Sequence, residues 1–409
     1  MTARPTRLPA YYTIVLLLCA AVFISYIDRT NISVGAIAMR AQFGWSETQK
    51  GLVLSSFYVG YLALMLASGA LANRFGGKVV LGIGVAWWSL ATVLTPASAF
   101  LGLPLLVAAR IALGLGEATV FPSAMNMIGR SVPRLQRSRA VSLVVGSIYA
   151  GTVFAMPVSG WLVQHYGWTL PFYIFGGVGF IWVWVWFAAA DGRATEESSP
   201  AVTAAQPVPW RRLFALPAVW AIVGAHFCAN WTLYLMSAWL PSYFARAFGV
   251  SVLNAGLLSA APSLAAFAMS NVGGYLADRM LRAGCSASFV RKLLNSVGAG
   301  GAAFFLLALP SAGSVEMGLV LTCCAMGMGG LAIAGFVANM LDIAPRHADV
   351  LFSISNTVAT LPGIFGIYLT GWLVERTGHF AVPFYVAAGL LLMGVLFFAR
   401  FSSGEQQIE

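Results

Sequence analysis

Charged residues are scarce in this chain: only 9% of its 409 residues are Asp, Glu, Lys or Arg, whereas 59% are hydrophobic. Because soluble domains carry about 25% charged residues, this composition excludes a soluble globular enzyme and a disordered chain. Apolar runs of more than about 18 residues recur along the whole sequence, and each can cross a bilayer as a helix. The composition therefore predicts an all-α membrane protein.

Cysteine is rare too, and because none of the five cysteines forms a Cys-x-x-Cys pair, we interpret them as small packing residues. Nucleotide and hydrolase motifs are missing as well. Gly77 and Lys78 are followed by Val79, which excludes the phosphate-binding G-x-x-x-x-G-K-[ST] loop, and the sequence has neither H-E-x-x-H nor G-x-S-x-G. We therefore expect no enzyme, no catalytic residue, no metal site and no organic cofactor.

Twelve apolar runs divide the chain into candidate membrane spans. The one long connection, residues 191–214, is polar and rich in Ala, Pro and Ser, as expected of a linker. It separates an N-terminal half, 1–190, from a C-terminal half, 215–409, with six spans in each. The apolar runs place the spans at 11–38, 47–72, 79–98, 103–129, 139–164, 170–190, 215–245, 252–277, 292–311, 315–343, 350–375 and 380–400.

The net charge of +10 reflects membrane topology rather than an affinity for nucleic acid. The basic residues lie in short clusters between the apolar runs, not in one stripe. With the amino terminus in the cytoplasm, 17 of the 23 Lys and Arg residues face inside and only Arg40, Lys50, Arg246 and Arg376 face outside. This asymmetry follows the positive-inside rule and predicts that both termini and the linker are cytoplasmic.

Two sequence segments of the first half recur in the second. GWLVQHYGWTLPFY at 160–173 resembles GWLVERTGHFAVPFY at 371–385, and ALANR at 70–74 resembles YLADR at 275–279. Because each half has six spans, the two copies have the same orientation in the membrane. Parallel repeats of this kind predict a cavity near the midplane and alternating access by rocking of the two halves.

Four charged residues lie inside spans of the first half: Asp28, Arg29, Arg110 and Glu117. A charge at the centre of a span costs about 2.5–3.5 kcal/mol on insertion scales, so these residues must pair or line a wet cavity. Arg110 and Glu117 are seven residues apart and share one helix face. They form either a structural ion pair or a site where Arg110 attracts an anion and Glu117 carries a proton. Asp28 either orients Arg29 or acts with it, and Tyr26 adds a polar group to the same span.

Polar residues in other spans suggest further ligands for such an anion. Asn230 and Tyr234 share a face of span 7, and Asn356 lies in span 11. Amides and hydroxyls suit a polyhydroxylated or amide-bearing anion, although buried Asn in membrane helices also serves simply to hold helices together. Tyr58 in span 2 and Tyr149 in span 5 are further candidates, with helix packing as the alternative.

The segment GALANRFGGK at 69–78 resembles the loop between spans 2 and 3 of the major facilitator superfamily, and YLADR at 275–279 resembles its second-half copy. Asn73 stands where the superfamily usually has Asp, whereas Asp278 keeps the acid. The resemblance implies a major facilitator fold of twelve helices in two pseudo-symmetric halves. It also implies gating roles for Gly69, Asn73, Arg74, Gly77, Lys78, Asp278 and Arg279.

A narrower resemblance is to the anion:cation symporter family, which includes bacterial galactonate, glucarate and hexuronate transporters, animal sialin and the vesicular glutamate transporters. It rests on YIDRTNISVG, ARIALGLGEATVFPS, NWTLYLMSAWLPSYF and DIAPRHADVLFSISNTVATLPGIFG. Unlike the animal members, this chain has no long glycosylated loop between spans 1 and 2, which fits a bacterial inner (plasma) membrane protein.

The resemblance implies a carboxylate site at Arg29 and Arg110, proton coupling at Glu117 and a second proton site at Asp28. The expected function is proton-coupled symport of a small organic anion, a sugar acid or other carboxylate, by a monomer in the lipid bilayer. The family's substrate cavity is lined at positions that match Tyr26, Tyr58, Asn230 and Asn356.

Two other functions stay open. An anion exchanger or facilitative uniporter would give Glu117 only a structural role, and its flux would not respond to a proton gradient. A sensor that binds the anion without transporting it usually needs a cytoplasmic signalling module, for which residues 191–214 are too short.

Overall fold

The computed structural model describes residues 10–189 and 208–408, and the regular structure in these ranges is helical. Single 3₁₀ turns cover Arg134–Gln136 and Leu309–Ser311. The α-helices are α1 Ala10–Phe43, α2 Glu47–Phe75, α3 Gly77–Leu101, α4 Leu103–Glu117, α5 Val120–Ser131, α6 Arg137–Tyr166, α7 Thr169–Ala189, α8 Trp210–Ala215, α9 Pro217–Phe248, α10 Val252–Arg282, α11 Ala287–Ala308, α12 Val315–Ile343, α13 Ala348–Thr377 and α14 Ala381–Phe401.

The helices confirm the predicted membrane spans. Within the described residues, 11 spans are long and apolar enough to cross a membrane, and α2, which bends by 53° between Met65 and Ala67, makes the twelfth. Helices α4 and α5 together form one of these spans, Leu103–Ser131. The chain is therefore a multi-pass membrane protein.

The fourth span is not the continuous helix that the apolar run predicts. Helix α4 ends at Glu117, and α5 begins at Val120. Pro122 lies one turn later, and proline has no backbone N–H to donate to the carbonyl of Ala118, which its ring also crowds. The interruption places the end of α4 at a buried acid.

The predicted linker is partly helical. Residues 191–207 lie outside the described part of the chain, but Trp210–Ala215 forms the short helix α8 directly before α9. The assignment of 191–214 as the division between two halves stays a prediction.

The sequence repeat has a structural counterpart at two matching turns. Gly167 ends α6 with φ +86°, and Gly378 ends α13 with φ +83°. Each donates its N–H to a carbonyl one turn earlier, that of Val163 at 3.1 Å and that of Val374 at 2.9 Å. Positive φ favours glycine because it has no Cβ, so both copies use glycine to end one span and begin the next.

Contacts group the described chain into two compact units. The first unit takes in the described residues up to Asn31, Val59–Ala155 and α7, and α3 packs there against α4, α5 and α7. The second unit takes in Ile32–Tyr58, Met156–Trp168 and the described chain from 208, with α12 against α10 and α11 and with α13 against α9. Helices α1, α2 and α6 are therefore each divided between the two units.

Candidate functional site

Glu117 accepts the polar contacts at the centre of the first unit. One of its oxygens, Oε2, accepts hydrogen bonds from Arg29 Nη2 at 2.9 Å and from Arg29 Nε at 3.2 Å. The Ser25 hydroxyl donates to the same oxygen at 2.8 Å. Glu117 is 1% exposed, and its other oxygen, Oε1, has no hydrogen-bond partner among the described residues. A single carboxylate oxygen thus holds two side chains of α1 against the end of α4.

Arg29 is also flanked by aromatic rings. Its guanidinium carbon lies 4.7 Å from the ring centroid of Tyr26 and 4.9 Å from that of Tyr61. Rings at this distance attract a cation through their quadrupole and hold the planar guanidinium in place. The Arg29 side chain keeps 13% of its surface exposed, so it is the more accessible member of its ion pair with Glu117.

Asp28 lies deeper, at 1% exposure. Its carboxylate oxygens have no hydrogen-bond partner among the described residues, although the side chains of Trp88 and Thr92 lie beside it. Asp28 is close enough to Glu117 and Arg110 to interact electrostatically with both. Burial of an ionised carboxylate is costly, and the neighbours that can offset this cost are Arg110 and the polar side chains of Trp88 and Thr92.

Arg110 projects from α4 and is 1% exposed. It interacts electrostatically with both acids, Asp28 and Glu117. The first unit thus brings together all four mid-span charges that the sequence singles out. The ion-pair partner of Glu117 is Arg29 from α1, and Arg110 adds an electrostatic interaction with the same acid.

Two residues of this group were not identified from the sequence. Ser25 precedes Arg29 by four residues and therefore lies on the same face of α1, a spacing that could have identified it. Tyr61 gave no comparable signal, because its position depends on how α2 packs against α1.

The predicted ligands of the second unit contact one another or the backbone. The rings of Tyr58 and Tyr234 lie 4.6 Å apart. Asn230 donates from Nδ2 to the carbonyl of Ala359 at 3.0 Å, so that amide joins α9 to α13. Asn356 lies on α13, one residue after Ser355, whose hydroxyl bonds His226 at 2.8 Å. The assignment of Tyr58, Asn230, Tyr234 and Asn356 to the substrate stays a prediction, as does that of half-buried Tyr149 on α6.

The predicted gating segment of the first unit joins three helices. Asn126 of α5 donates from Nδ2 to Asn73 Oδ1 at 2.9 Å and accepts from the Gly77 N–H at 3.2 Å. A Cβ at Gly77 would lie 2.7 Å from the carbonyl oxygen of Ser123, so only glycine allows this close approach. Among the other predicted gating residues, the Lys78 carbonyl accepts a hydrogen bond from Trp186 Nε1 at 2.9 Å, and Arg74 lies over the Phe75 ring. A Cβ added at Gly69 would meet no atom within 4 Å.

The second copy of this segment is less engaged. Asp278 and Arg279 are exposed near the end of α10, and neither forms an ion pair with a described residue. The Asp278 carbonyl accepts from Arg282 Nε at 3.1 Å. The gating roles of both copies stay predictions.

Comparisons with known proteins identify the family of the chain. The sequence pattern of the Major Facilitator Superfamily matches residues 18–366. The chain is 36% identical to "Ascorbate transporter, chloroplastic" and 35% identical to "Sodium-dependent phosphate transport protein 1, chloroplastic", both from Arabidopsis thaliana. These matches cover 98% of this chain and 77% and 81% of the relatives. "Vesicular glutamate transporter 1" from Bos taurus is 32% identical over 98% of this chain and 78% of its own length.

A solved structure shows the same fold. A bacterial homolog of the human lysosomal transporter Spinster, in an inward-facing and occupied conformation, superposes with a TM-score of 0.82 over 97% of this chain and 98% of that one, at 20% identity. Identity this low supports the fold alone. Together, the twelve spans, the family match and the curated relatives show that the chain belongs to the Major Facilitator Superfamily, within its anion:cation symporter family, and is a transporter rather than an enzyme.

Proposed function

We propose that the chain moves a small organic anion, such as a sugar acid or other carboxylate, together with protons by alternating access. Arg29 and Arg110 supply positive charge inside the membrane, and the relatives are named for phosphate, ascorbate and glutamate. Burying positive charge is costly. Retaining two arginines in apolar helices is therefore consistent with a negatively charged substrate.

The observation that carries the proposal is the contact of Arg29 Nη2 and Nε with one oxygen of Glu117. With both acids ionised, the two carboxylates neutralise the two guanidiniums. Protonation of Glu117 weakens this pairing and frees positive charge on Arg29 for a substrate carboxylate. Coupling then arises because protonation of Glu117 increases the affinity for the anion, and by reciprocity the bound anion increases the affinity for the proton. Asp28, buried beside Arg110, is the proposed second proton site.

Symport is distinguished from its alternatives by uptake into proteoliposomes. The panel contains labelled gluconate, glutamate, ascorbate and phosphate, each with an inward proton gradient, with protonophore added, and with a sodium gradient instead. We expect concentrative uptake of an organic anion that is lost with protonophore. Equal uptake under all three conditions would favour an exchanger or uniporter, and dependence on sodium would overturn proton coupling.

The ring of Tyr61 should matter more for affinity than its hydroxyl. Replacing Tyr61 with leucine removes one of the two rings beside Arg29, an interaction worth about 0.5–2 kcal/mol, and is expected to raise KM for the anion by about 2- to 30-fold. Tyr61→Phe keeps the ring and serves as the matched control with near-normal KM. Equal KM for both variants would remove Tyr61 from the site.

The membrane and orientation are part of the proposal. The charge asymmetry of the sequence supports a bacterial inner membrane location with both termini cytoplasmic. We further propose that the monomer transports, because the four charged residues and Tyr61 come from a single chain.

A further inference from the structure

A second charged cluster lies in the second unit. The Glu47 cluster consists of Glu47, Arg40, Lys50 and Arg246. Arg40 Nε lies 3.2 Å and Arg246 Nη1 2.9 Å from Glu47 Oε1, and Lys50 Nζ lies 2.6 Å from Oε2. One carboxylate at the start of α2 thus holds cations from the last turn of α1, from α2 itself and from the last turn of α9.

The members of the cluster differ in burial. The side chains of Glu47 and Lys50 are 6% and 3% exposed, whereas those of Arg40 and Arg246 are 44% and 42% exposed. Lys50 donates to Ser242 Oγ at 3.2 Å and lies 4.5 Å from the centroid of the Trp239 ring. Because Lys50 is fixed beside Glu47 on the same helix, its single charge is sufficient to neutralise that carboxylate.

The two arginines are therefore in excess of what the buried acid needs. Three cations share one carboxylate, which leaves two positive charges. Among the charged residues near by, Glu375 accepts the Thr48 N–H at 2.8 Å, and its neighbour Arg376 lies over the Trp372 ring. The charges of Glu375 and Arg376 offset each other, so the Glu47 cluster itself keeps a surplus of two positive charges.

The arginines are also held in place. Arg246 donates from Nη2 to the carbonyl of Gly378 at 3.0 Å while Nη1 binds Glu47. Arg40 reaches the same Glu47 oxygen, so the two guanidiniums are close neighbours with much of their surface accessible. Two adjacent, ordered and accessible guanidiniums are suited to a carboxylate or phosphate group, which they bind through paired donors.

We propose that the Glu47 cluster is a recruitment site that gathers the transported anion through the surplus charge of Arg40 and Arg246. The sequence places these residues at the outer end of the protein, where a substrate arrives. Surplus charge of one sign at a protein surface raises the local concentration of counter-ions and speeds their association. The identity of the occupant rests on the proposed function, but the local field does not.

The field can be measured without transport. Ala247 is exposed and adjacent to Arg246 on α9, so Ala247→Cys places a thiol beside the cluster. The purified protein in neutral lipid is treated with methanethiosulfonates that carry either a sulfonate or a trimethylammonium group. The ratio of the two rates cancels differences in thiol reactivity. The chain without Ala247→Cys gives the background from its own cysteines.

At low ionic strength the ratio of the modification rate with the anionic reagent to that with the cationic reagent is expected to be about 3- to 10-fold higher than for a free thiol. Adding Arg40→Gln and Arg246→Gln should bring that ratio close to one, and about 1 M salt should do the same by screening. The double variant is expected to fold because Lys50 still neutralises Glu47. Arg346→Gln, an exposed arginine outside the cluster, removes charge without changing the ratio.

For whichever panel anion is taken up, the double variant should also raise KM about 3- to 10-fold, with the difference narrowing at high salt. Recruitment would be overturned, even with proton-driven uptake intact, by a ratio of modification rates that equals that of a free thiol. The same would follow if Arg346→Gln lowered the ratio as much as the double variant does. An elevated ratio without uptake of any anion would count against the proposed function alone. Unchanged KM despite a lost field would show that the field does not serve the substrate.

Discussion

Replacing Glu117 with glutamine is expected to abolish proton-driven accumulation of the anion while sparing exchange of internal for external anion. Glutamine has nearly the same shape as glutamate. Its amide oxygen can still accept the hydrogen bonds that Ser25 and Arg29 donate to Oε2 of Glu117 in the unchanged protein. It carries no charge at any working pH, so the site is fixed in the state that protonation normally produces. The anion can then bind and cross, but no proton needs to accompany it.

The effect on accumulation should be large. Each coupled proton contributes about 1.4 kcal/mol per pH unit, or about tenfold accumulation. With an inward gradient of about one pH unit, the variant should equilibrate the anion at a ratio near one. Counterflow of labelled against unlabelled anion should continue in the same vesicles. Glu316→Gln, an exposed acid at the start of α12, is the control and should accumulate normally.

Loss of exchange as well as accumulation would contradict a coupling role and make Glu117 structural or part of the anion site itself. Asp28→Asn in the same assay resolves the number of protons. A second proton that loads on Asp28 only after Glu117 is protonated would be lost in this variant, which would lower the accumulation ratio to about its square root, whereas loss of Glu117 prevents both loading steps. An unchanged ratio would mean that Asp28 only positions its neighbours.

Much of the membrane architecture could be predicted because the bilayer restricts the chain so strongly. Apolar length identifies spans, and a charge inside a span must find a partner. For the same reason the grouping of Asp28, Arg29, Arg110 and Glu117 followed from their location alone. Glycine at two matching turns, Gly167 and Gly378, needed only the local repeat.

The exact partners could not be predicted, because helical periodicity gives the direction of a side chain but not its neighbour. Seven residues place Arg110 and Glu117 on one helix face, but they do not show which cation forms the ion pair with Glu117. The partner of Glu117 comes from α1, 88 residues away in sequence.

The Glu47 cluster was missed for a similar reason. Its four residues lie near the ends of three helices, and in the sequence they are only isolated charges bordering apolar runs. Tertiary packing alone brings Arg246 to Glu47, 199 residues away in sequence.

Replacing Arg29 with glutamine is expected to abolish both accumulation and exchange. The substrate carboxylate would lose a charge-assisted partner that presents two parallel donors, and truncation of such a buried partner costs about 2–5 kcal/mol, or about 30-fold or more in affinity. Arg29→Lys keeps the charge but not the planar fork that lies between Tyr26 and Tyr61. It should retain binding with a raised KM.

Stability separates this loss from simple unfolding. Arg29→Gln leaves buried Glu117 without its ion pair, which is expected to destabilise the protein by about 3–5 kcal/mol and lower its melting temperature in detergent. Adding Glu117→Gln removes the uncompensated charge and should restore most of that stability, because the two residues are directly coupled. Transport should not return, since the substrate still lacks Arg29. Recovery of exchange in the double variant would show that Arg29 serves Glu117 rather than the anion, and would leave Arg110 as the binding residue.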